Sequence, residues 1–390
     1  MNMPASVPSL PVDRFSLDEL EAYIRTIDTA AYTKTRNYIG GSTRLSEYIS
    51  RGMISLPRVR DLVLENNSRS ASFKFLGELA WREYWHLTWE AIGDDIFEYI
   101  RPLPHEVRNA LPAAVLNAST GIEALDEGIT RLKETGFIDN HLRMWLAGLI
   151  CNVAKCDWKV GAAWMHSQLI DGDYASNHLS WQWVAGSYTG KPYIPQQDNI
   201  NKYTESTQKE TFLDRSYAAI ASMEIPEALL DAESYRPSHD VLLPESTITI
   251  GELQNAETIL LYSPWTLDPL WRLDTEGTRV LWIDTDEFGE GRYSQNVIDS
   301  IKWFASQISG LKIICDSTRS LQKLDGNIIR KAYPGIASWP GEIDPAEKLY
   351  PEVPVAFYKS YSAYWKQIKK YSLTKQQSLF ESEQTVVQHD

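Results

Sequence analysis

The chain is 390 residues long and 43% hydrophobic, which is enough for two domains with well-filled cores. Its formal net charge of −14 argues against sequence-blind nucleic-acid binding, because such binding depends on neutralising phosphates. Its 3 cysteines cannot form a disulfide framework or hold a four-cysteine cluster, so we expect reduced thiols and no metal site. The start of the chain does not resemble a signal peptide, and no apolar run approaches the ~20 residues of a membrane span. We therefore expect a cytoplasmic protein without membrane contact.

A helical pattern runs from Ser16 to about Trp183. Ser16 is suited to cap a helix with an acidic first turn, and Pro57 stands at the start of the next amphipathic segment. Apolar residues three and four apart predict further helices in FKFLGELAWREYWHLTWEAI, IEALDEGITRLKETG and NHLRMWLAGLICNVAKC. Gly136 is expected to end the second of these. After Gly186 the sequence becomes polar and aperiodic, which predicts a long loop.

The second half of the chain has a different pattern. The short runs TILLYSP, RVLWIDT and LKIICDS are β-rich, and YSQNVIDSIKWFASQISG between the last two is amphipathic. This alternation predicts a small α/β domain with parallel strands. A closing helix is expected between Tyr350 and Tyr371. The fold class is therefore mainly α, with a helical domain over 1–205, a linker over 206–255, an α/β domain over 256–375 and a tail over 376–390.

Two stretches of the helical half combine polar groups with glycine or tryptophan. IGGSTRLSEY, residues 39–48, brings hydroxyls and amides to a predicted helix start and can hold a pyrophosphate, although plain helix capping is the simpler alternative. GELAWREYW, residues 77–85, places the four side chains of Glu78, Trp81, Arg82 and Trp85 on one helix face. The alternative is a surface ion pair between Glu78 and Arg82, which two tryptophans on the same face disfavour.

Two further stretches are TGFIDNHLRMW and QLIDGDYASNHLSWQWVAGS. The first places Asn140 and Arg143 one helical turn apart, and the second contains Asp171 and Asp173. A lone buried carboxylate costs several kcal/mol, so the two aspartates need a countercharge. Arg143 is the countercharge that we expect.

Taken together and in this order, the four stretches resemble the flavin-binding domain of the DNA photolyase/cryptochrome family. The resemblance covers about Tyr32 to Tyr193 and rests on YTKTRNYIGGSTRLS, GELAWREYW, TGFIDNHLRM, and CDW followed by LIDGDYASNHLSWQW. It implies an all-helical domain that binds FAD as its blue-light chromophore. It also implies an atypical member, because the usual α/β antenna domain has no room before Tyr32.

The resemblance implies positions for a FAD bent into a U. Residues 42–46 would hold the phosphates with Tyr32 beside them, and Asp171 and Asp173 would accept hydrogen bonds from the ring system and the ribose or adenine. Arg143 would balance Asp171, and Asn177 would face the flavin N5. The implied FAD-binding residues are Tyr32, Ser42, Thr43, Arg44, Leu45, Ser46, Phe75, Glu78, Arg82, Asn140, Arg143, Asp171, Asp173 and Asn177.

The resemblance also implies a deoxyribodipyrimidine photolyase, a lyase of DNA repair. In that chemistry light-excited reduced FAD donates an electron to a cyclobutane pyrimidine dimer, the ring splits and the electron returns. Glu78 would hydrogen-bond the dimer while Trp81 and Trp183 line the lesion pocket, because a flipped lesion needs flat apolar walls. The residues implied in catalysis are Glu78, Asn177, Trp81 and Trp183, and those in electron transfer are Trp181 and Trp158.

Several positions depart from the family pattern. The outer tryptophan of the usual electron path falls near Val115, which leaves Trp164 or Trp145 as candidate substitutes. Phe75 and Phe137 replace the aromatic residues usual near the flavin or lesion, and KPYIPQQDN replaces a stretch that commonly contains arginine. These losses predict weakened DNA binding, with single-stranded damaged DNA as the favoured partner.

Two other functions stay open at this point. One is a cryptochrome-like blue-light photoreceptor, with the C-terminal part as the surface for a signalling partner. The other is a flavoprotein fold kept as a binding module without photochemistry. The α/β segment at about 256–340 is interpreted as a relocated or reduced antenna domain that has lost its pigment pocket.

Overall fold

A computed structural model gives the structure of residues 14–103, 105–354 and 356–370. The first half is helical and the second half contains a five-stranded parallel sheet, which confirms the predicted fold class. The predicted tail over 376–390 and the end of the predicted closing helix at Tyr371 lie outside the described residues.

The helical half follows the predicted order. Its helices are α1 (Leu17–Thr26), α2 (Thr29–Thr35), α3 (Ser46–Ser50), α4 (Leu56–Asn66), α5 (Phe73–Ile92), α6 (Ala113–Leu116), α7 (Glu123–Thr135), α8 (Asn140–Gly148), α9 (Trp158–His166), α10 (Tyr174–Ala185), α11 (Gln197–Thr204) and α12 (Tyr217–Ser222). A 3-10 turn covers Gly93–Phe97, and a π-helical turn over Leu149–Val153 continues α8. Strands β1 (Leu111–Pro112) and β2 (Ala232–Glu233) form a small antiparallel pair.

Local chemistry sets the ends of these helices. The capping box of Ser16 and Glu19 begins α1, and the Ser55 hydroxyl accepts a hydrogen bond from the backbone of Arg58 to begin α4. Gly136 ends α7 in the left-handed conformation with φ of 71°, as predicted. The loop predicted after Gly186 is interrupted by α11, so that part of the prediction was wrong.

The second half is built on a sheet with the strand order β5-β4-β3-β6-β7. The strands are β3 (Thr258–Tyr262), β4 (Thr278–Asp284), β5 (Lys312–Asp316), β6 (Asn327–Lys331) and β7 (Glu342–Asp344). The helices are α13 (Ile250–Leu253), α14 (Thr285–Phe288), α15 (Gln295–Ser306) and α16, which covers 361–370. Short 3-10 turns cover Glu227–Leu229, Thr318–Lys323 and Pro334–Ile336. The sequence predicted β3, β4, β5 and α15, but not β6 or β7.

The strand order reverses between β3 and β6, and in open α/β sheets ligands bind beside the carboxyl ends of the strands at such a point. Here that position is filled by Trp265, which follows β3, and Tyr333, which follows β6. Their rings stack with centroids 5.2 Å apart and planes 7° apart. The Tyr333 hydroxyl donates a hydrogen bond of 3.5 Å to Asp173 in the helical half. The two aromatic residues therefore connect the sheet to the helical half.

Two hydrophobic cores organise the chain, and their border differs from the predicted domain border. Helices α1, α3, α4 and α5 share one core with the sheet, and the second core is formed within residues 111–229. Ile220 and Leu229, which lie in the predicted linker, are buried in the second core. Much of the segment between the two halves is thus packed structure.

Candidate functional site

The predicted FAD-binding residues surround two adjoining cavities. The larger has a volume of about 450 Å³ and lies among α3, α5, α8, α9 and α10. The smaller, of about 190 Å³, extends it along the loop of residues 42–45. Each of the fourteen residues implied by the resemblance lines at least one of the two, and so do Trp81, Trp181 and Trp183. The structure therefore brings the four sequence stretches together around one space.

Asp171 and Arg143 form the charge pair expected from the sequence. Arg143 Nη2 lies 2.9 Å and 3.1 Å from the two carboxylate oxygens, and Ser46 donates its hydroxyl to the same carboxylate at 2.6 Å. Burial by itself would raise the pKa of Asp171, but Arg143 and Ser46 outweigh it and hold the pKa below its ordinary value. Asp171 is thus a buried, ionised carboxylate on the cavity wall.

Asp173 has partners that the sequence analysis did not assign to it. Arg82 Nη2 lies 3.3 Å from its carboxylate, His86 Nε2 lies 2.9 Å away, and the backbone N–H of Ser176 donates to it at 2.8 Å. Burial opposes ionisation, yet these groups hold the pKa of Asp173 well below its ordinary value. Arg143 balances Asp171 as expected, and Asp173 has its own charged partner in Arg82, which faces α10 from the neighbouring helix.

Glu78 does not pair with Arg82. Its carboxylate lies 3.4 Å from Arg36 Nε, and 46% of its side chain is exposed towards the cavity and its mouth. Burial among the cavity walls raises the pKa of Glu78 despite the nearby Arg36. The alternative of a Glu78–Arg82 surface pair is therefore excluded, and the pKa of the Glu78 carboxyl lies above its ordinary value.

The loop predicted to hold phosphates is shaped by Arg44, which has a positive φ of 54°. Its guanidinium lies 4.3 Å from the ring centroid of Phe137. The following helix α3 has only five residues, and the Ser46 hydroxyl already donates to Asp171. A helix dipole thus contributes little here, and the groups left to meet an anion are the Arg44 guanidinium, the hydroxyls of Ser42 and Thr43, and the loop backbone.

Asn177 reaches the cavity from α10. Its Nδ2 donates a hydrogen bond of 3.0 Å to the carbonyl of Ala162, which fixes the side-chain amide. The carbonyl oxygen Oδ1 is then the end of the amide that can accept a hydrogen bond from a ligand N–H. Close by on the same helix, the buried Ser176 hydroxyl has no hydrogen-bond partner in the described part of the chain.

The two tryptophans expected to line a lesion pocket are placed differently. Trp183 is 37% exposed at the cavity. Trp81 also lines the cavity, but Tyr361 of α16 stacks on it with centroids 3.7 Å apart and planes 9° apart. The Tyr361 hydroxyl donates to the carbonyl of Gly77, and Tyr364 of the same helix donates to buried Glu83. Helix α16 thus covers one face of Trp81.

Trp181 of α10 and Trp158 of α9 both lie where these two helices pack together. A Cβ atom added at Gly161 would lie 2.3 Å from the Trp181 ring, so the indole lies against α9 one turn beyond Trp158. Trp158 is fully buried and its ring contacts His178, one turn before Trp181. The candidate outer residues Trp145 and Trp164 are only 0% and 2% exposed.

Sequence reasoning missed His86, Ser176, Arg36 and Tyr361. His86 could have been found, because it follows Arg82 by four residues on the same helix. Arg36 lies within the motif YTKTRNYIGGSTRLS, but the sequence reasoning gave it no role. Tyr361 has no sequence signal that links it to Trp81, since the two are 280 positions apart and meet only through the packing of α16.

Known proteins match the helical part of the chain. Residues 75–222 match the family described as the FAD binding domain of DNA photolyase. This region belongs to the photolyase/cryptochrome family. The chain is 33% identical over 166 residues to a deoxyribodipyrimidine photo-lyase of Buchnera aphidicola, covering 40% of this chain and 35% of that protein. It is 27% identical over 206 residues to a cryptochrome DASH of Idiomarina loihiensis, covering 50% and 45%.

Among solved structures, a cryptochrome from Synechocystis aligns with a TM-score of 0.43 and 21% identity, covering 52% of this chain and 46% of that one. An archaeal photolyase from Sulfolobus tokodaii aligns with a TM-score of 0.40 and 23% identity, covering 57% and 53%. The chain spans between about a third and a half of the length of the two curated relatives. Across the described residues, no helix is long and apolar enough to cross a membrane, and no group of three or more acidic, histidine or cysteine side chains is placed to hold a metal ion.

Proposed function

We propose that this photolyase-type cavity binds FAD and that the protein uses it for light-driven repair of cyclobutane pyrimidine dimers in DNA. The cavity residues fit the cofactor on chemical grounds. The buried Ser176 hydroxyl lacks a partner among the described residues, and Arg44 places a guanidinium beside the smaller cavity, where a pyrophosphate would need it. The volume of the larger cavity, about 450 Å³, is within the ~300–1,000 Å³ typical of cofactor sites.

The FAD would extend through both cavities. Arg44, Ser42 and Thr43 would meet the phosphates in the smaller cavity, with Tyr32 at the border that both share. The bulk of the larger cavity would hold the two ring systems, with Phe75 and Leu45 as apolar walls. The remaining predicted contacts, from Ser46, Asn140, Arg143, Asp171, Asp173, Arg82, Glu78 and Asn177, line that same space.

The Arg143–Asp171 pair would set the charge beside the cofactor. Arg143 lies against Asp171 with a side chain that is 25% exposed, so its remaining N–H groups can approach a ligand that carries negative charge. The Oδ1 atom of Asn177 would accept a hydrogen bond from a protonated N5, since its Nδ2 is held by Ala162. Bound in its reduced form, FAD would supply the light-driven electron that splits the dimer.

Glu78, Trp81 and Trp183 would act on the DNA. The raised pKa of Glu78 favours a carboxyl that donates a hydrogen bond to a pyrimidine carbonyl. Trp183, which is 37% exposed, and the part of Trp81 that lines the cavity would offer flat surfaces for a flipped-out dimer. The observation that carries the proposal is that these three side chains line the same cavity as the Arg143–Asp171 pair.

Helix α16 would add the phosphate contacts that the altered loop after α10 lacks. Lys366, Lys369 and Lys370 are exposed on this helix, and its described residues include no acidic side chain. Tyr361 holds the start of α16 against Trp81, which lines the cavity, and the lysines follow Tyr361 on the same helix. A short basic surface of this kind, on a chain of net charge −14, favours a single strand over extended duplex contacts.

A blue-light photoreceptor is the second candidate. The observation that favours it is the stacking of Tyr361 on Trp81, because this contact narrows the surface available to a dimer. In such a receptor α16 would be part of the surface that meets a signalling partner. Photochemistry would then change the protein without splitting a bond in DNA.

The test uses the purified full chain and an ultraviolet-damaged oligothymidine strand. The absorption spectrum should first show bound flavin. The protein is then reduced with dithionite and exposed to blue light, and the loss of dimers is followed by chromatography. Glu78→Gln replaces the O–H donor by a weaker amide N–H donor, and it should slow repair by up to about tenfold, the equivalent of roughly 1.4 kcal/mol. The matched control is Glu65→Gln on α4, where Glu65 is an exposed partner of Arg25. This variant should repair at the parent rate. A flavin-bound protein that splits no dimers in single or double strands would favour the photoreceptor.

A further inference from the structure

The proposed repair reaction requires reduced flavin, and the interior of the protein contains a route by which an electron can reach it. Trp181 of α10 lines the cavity and packs against α9 at Gly161, one turn after Trp158, which is fully buried. A buried indole passes on an oxidising equivalent only if another oxidisable group lies near enough for an electron to tunnel between them. Trp145 and Trp164 do not lead to solvent, because both are at least 98% buried.

Tyr99 connects Trp158 to the surface. It follows the 3-10 turn Gly93–Phe97, and its ring meets the Trp158 ring edge-on with centroids 5.8 Å apart. Its side chain is half-buried, and Lys159 Nζ lies 5.3 Å from its ring centroid near the surface. Tyr99 is therefore an oxidisable side chain that touches both Trp158 and the solvent boundary.

The phenol of Tyr99 also has a proton acceptor. Its hydroxyl donates a hydrogen bond of 2.7 Å to Asp157 Oδ1, and Asp157 is the residue that begins α9 directly before Trp158. Burial, and then the Asp157 carboxylate, raise the pKa of Tyr99, so the resting phenol keeps its proton. Loss of an electron makes a phenol strongly acidic, and the proton then has a carboxylate within hydrogen-bond distance.

We propose that Tyr99 is the terminal electron donor of this chain and that Asp157 accepts its proton. This inference rests on the proposed flavin photochemistry, with light-excited flavin as the one-electron oxidant of Trp181. The oxidising equivalent passes from Trp181 to Trp158. Tyr99 then gives one electron to Trp158, its O–H bond breaks, and the proton moves to Asp157. The products are a neutral tyrosyl radical, a protonated Asp157 and both tryptophans restored, and a thiol in solution re-reduces Tyr99 by giving up a hydrogen atom.

The experiment uses the flavin-loaded full chain, illuminated at low temperature and examined by electron paramagnetic resonance. The parent protein should give a tyrosyl signal whose hyperfine splitting changes when the tyrosine rings are deuterated. Tyr99→Phe should lose this signal and leave a short-lived tryptophan radical. In Tyr99→Phe, reduced flavin should accumulate about tenfold or more slowly than in the parent when a thiol is present.

Two further variants distinguish loss of the proton acceptor from a general loss of structure. Asp157→Asn keeps a residue that caps helices well, so α9 should still form, but it removes the base. The tyrosyl signal should then form more slowly, and its rate should rise with buffer base concentration. Tyr38→Phe is the control, because Tyr38 packs on Tyr203 at 5.3 Å in another part of the helical half. It should behave like the parent.

Two results would overturn the assignment of Tyr99 and Asp157. One is a full tyrosyl signal in Tyr99→Phe. The other is a tyrosyl signal that forms as fast in Asp157→Asn as in the parent. Repair by parent protein that was reduced with dithionite tests the proposed function separately, since chemical reduction bypasses Tyr99. Repair without any tyrosyl signal would reject this inference alone. A tyrosyl signal without repair would support the photoreceptor with the same electron path.

Discussion

Replacing Arg143 by methionine should destabilise the protein through the carboxylate that it leaves behind. Asp171 has a side chain that is 3% exposed, and Arg143 is its charged partner at 2.9 Å. Removing one member of a buried pair costs about 3–5 kcal/mol, because the other charge stays buried. Ser46 continues to donate to Asp171 and Arg143 is partly exposed, so we expect about 3 kcal/mol at neutral pH.

The pH dependence of this loss follows from the pKa of Asp171. In the parent the folded pKa is depressed, so the pair contributes stability above the unfolded value of about 4, and this contribution is lost as the pH falls through the folded pKa. In Arg143→Met burial dominates, and the folded pKa should rise above the unfolded one. The variant then loses stability as the pH rises from about 4 towards 7. The difference between parent and variant should therefore be smallest in acid, below the folded pKa of Asp171 in the parent, and largest at neutral pH.

The assay is urea unfolding of flavin-free protein, followed by tryptophan fluorescence at several pH values. The double variant Arg143→Met/Asp171→Asn removes both charges and should recover much of the lost stability. Arg58→Met breaks a more exposed ion pair with Glu21 and serves as the control, with an expected loss of at most about 1 kcal/mol. An Arg143→Met loss below that of the control, or one that does not change with pH, would refute the reasoning.

Three other predictions concern the helix contact, the cofactor and DNA. Gly161→Ala should lower the free energy of unfolding in urea by about 1–3 kcal/mol, because the new Cβ would lie 2.3 Å from a tryptophan ring. Gly77→Ala is the control: its Cβ would meet nothing closer than 3.4 Å, so it should stabilise α5 by about 0.5–1 kcal/mol. Ser176→Ala removes a hydroxyl that has no partner among the described residues, so flavin-free protein should unfold at an unchanged or higher urea concentration while flavin affinity falls about fivefold. Lys366→Glu combined with Lys369→Glu should weaken binding of a damaged single strand and reduce the salt dependence of the logarithmic affinity by about 0.7 for each lost phosphate contact. Equal salt dependence in parent and variant would exclude α16 from the DNA surface.

The sequence was most informative where one helix or one charge determines the structure. The bounds of α5 were predicted to the residue, because its apolar spacing is regular and it ends before a glycine. The Arg143–Asp171 pair was predicted because a buried carboxylate needs a countercharge and because the family resemblance implies Arg143 beside Asp171. Neither prediction required the packing of the second half of the chain.

The sequence was least informative where distant segments decide the structure. Strand β7 has the sequence EID and is exposed along much of its length, so it carries no hydrophobic signal of its own and forms only by pairing with β6. Two side-chain partners of Asp173, Arg82 and His86, come from α5, and they can be assigned only once α5 and α10 are known to pack together. The contact of Tyr361 with Trp81 depends in the same way on the return of the chain to its first half.

The border between the two hydrophobic cores runs through the cavity. Leu45 and Phe75 belong to the core shared with the sheet, while Leu169 and Trp181 belong to the core of the later helices. A molecule bound between them would touch both, and its binding free energy would oppose any separation of one core from the other. Occupancy of the cavity would thus decide whether the two halves of the chain denature as one cooperative body or in succession.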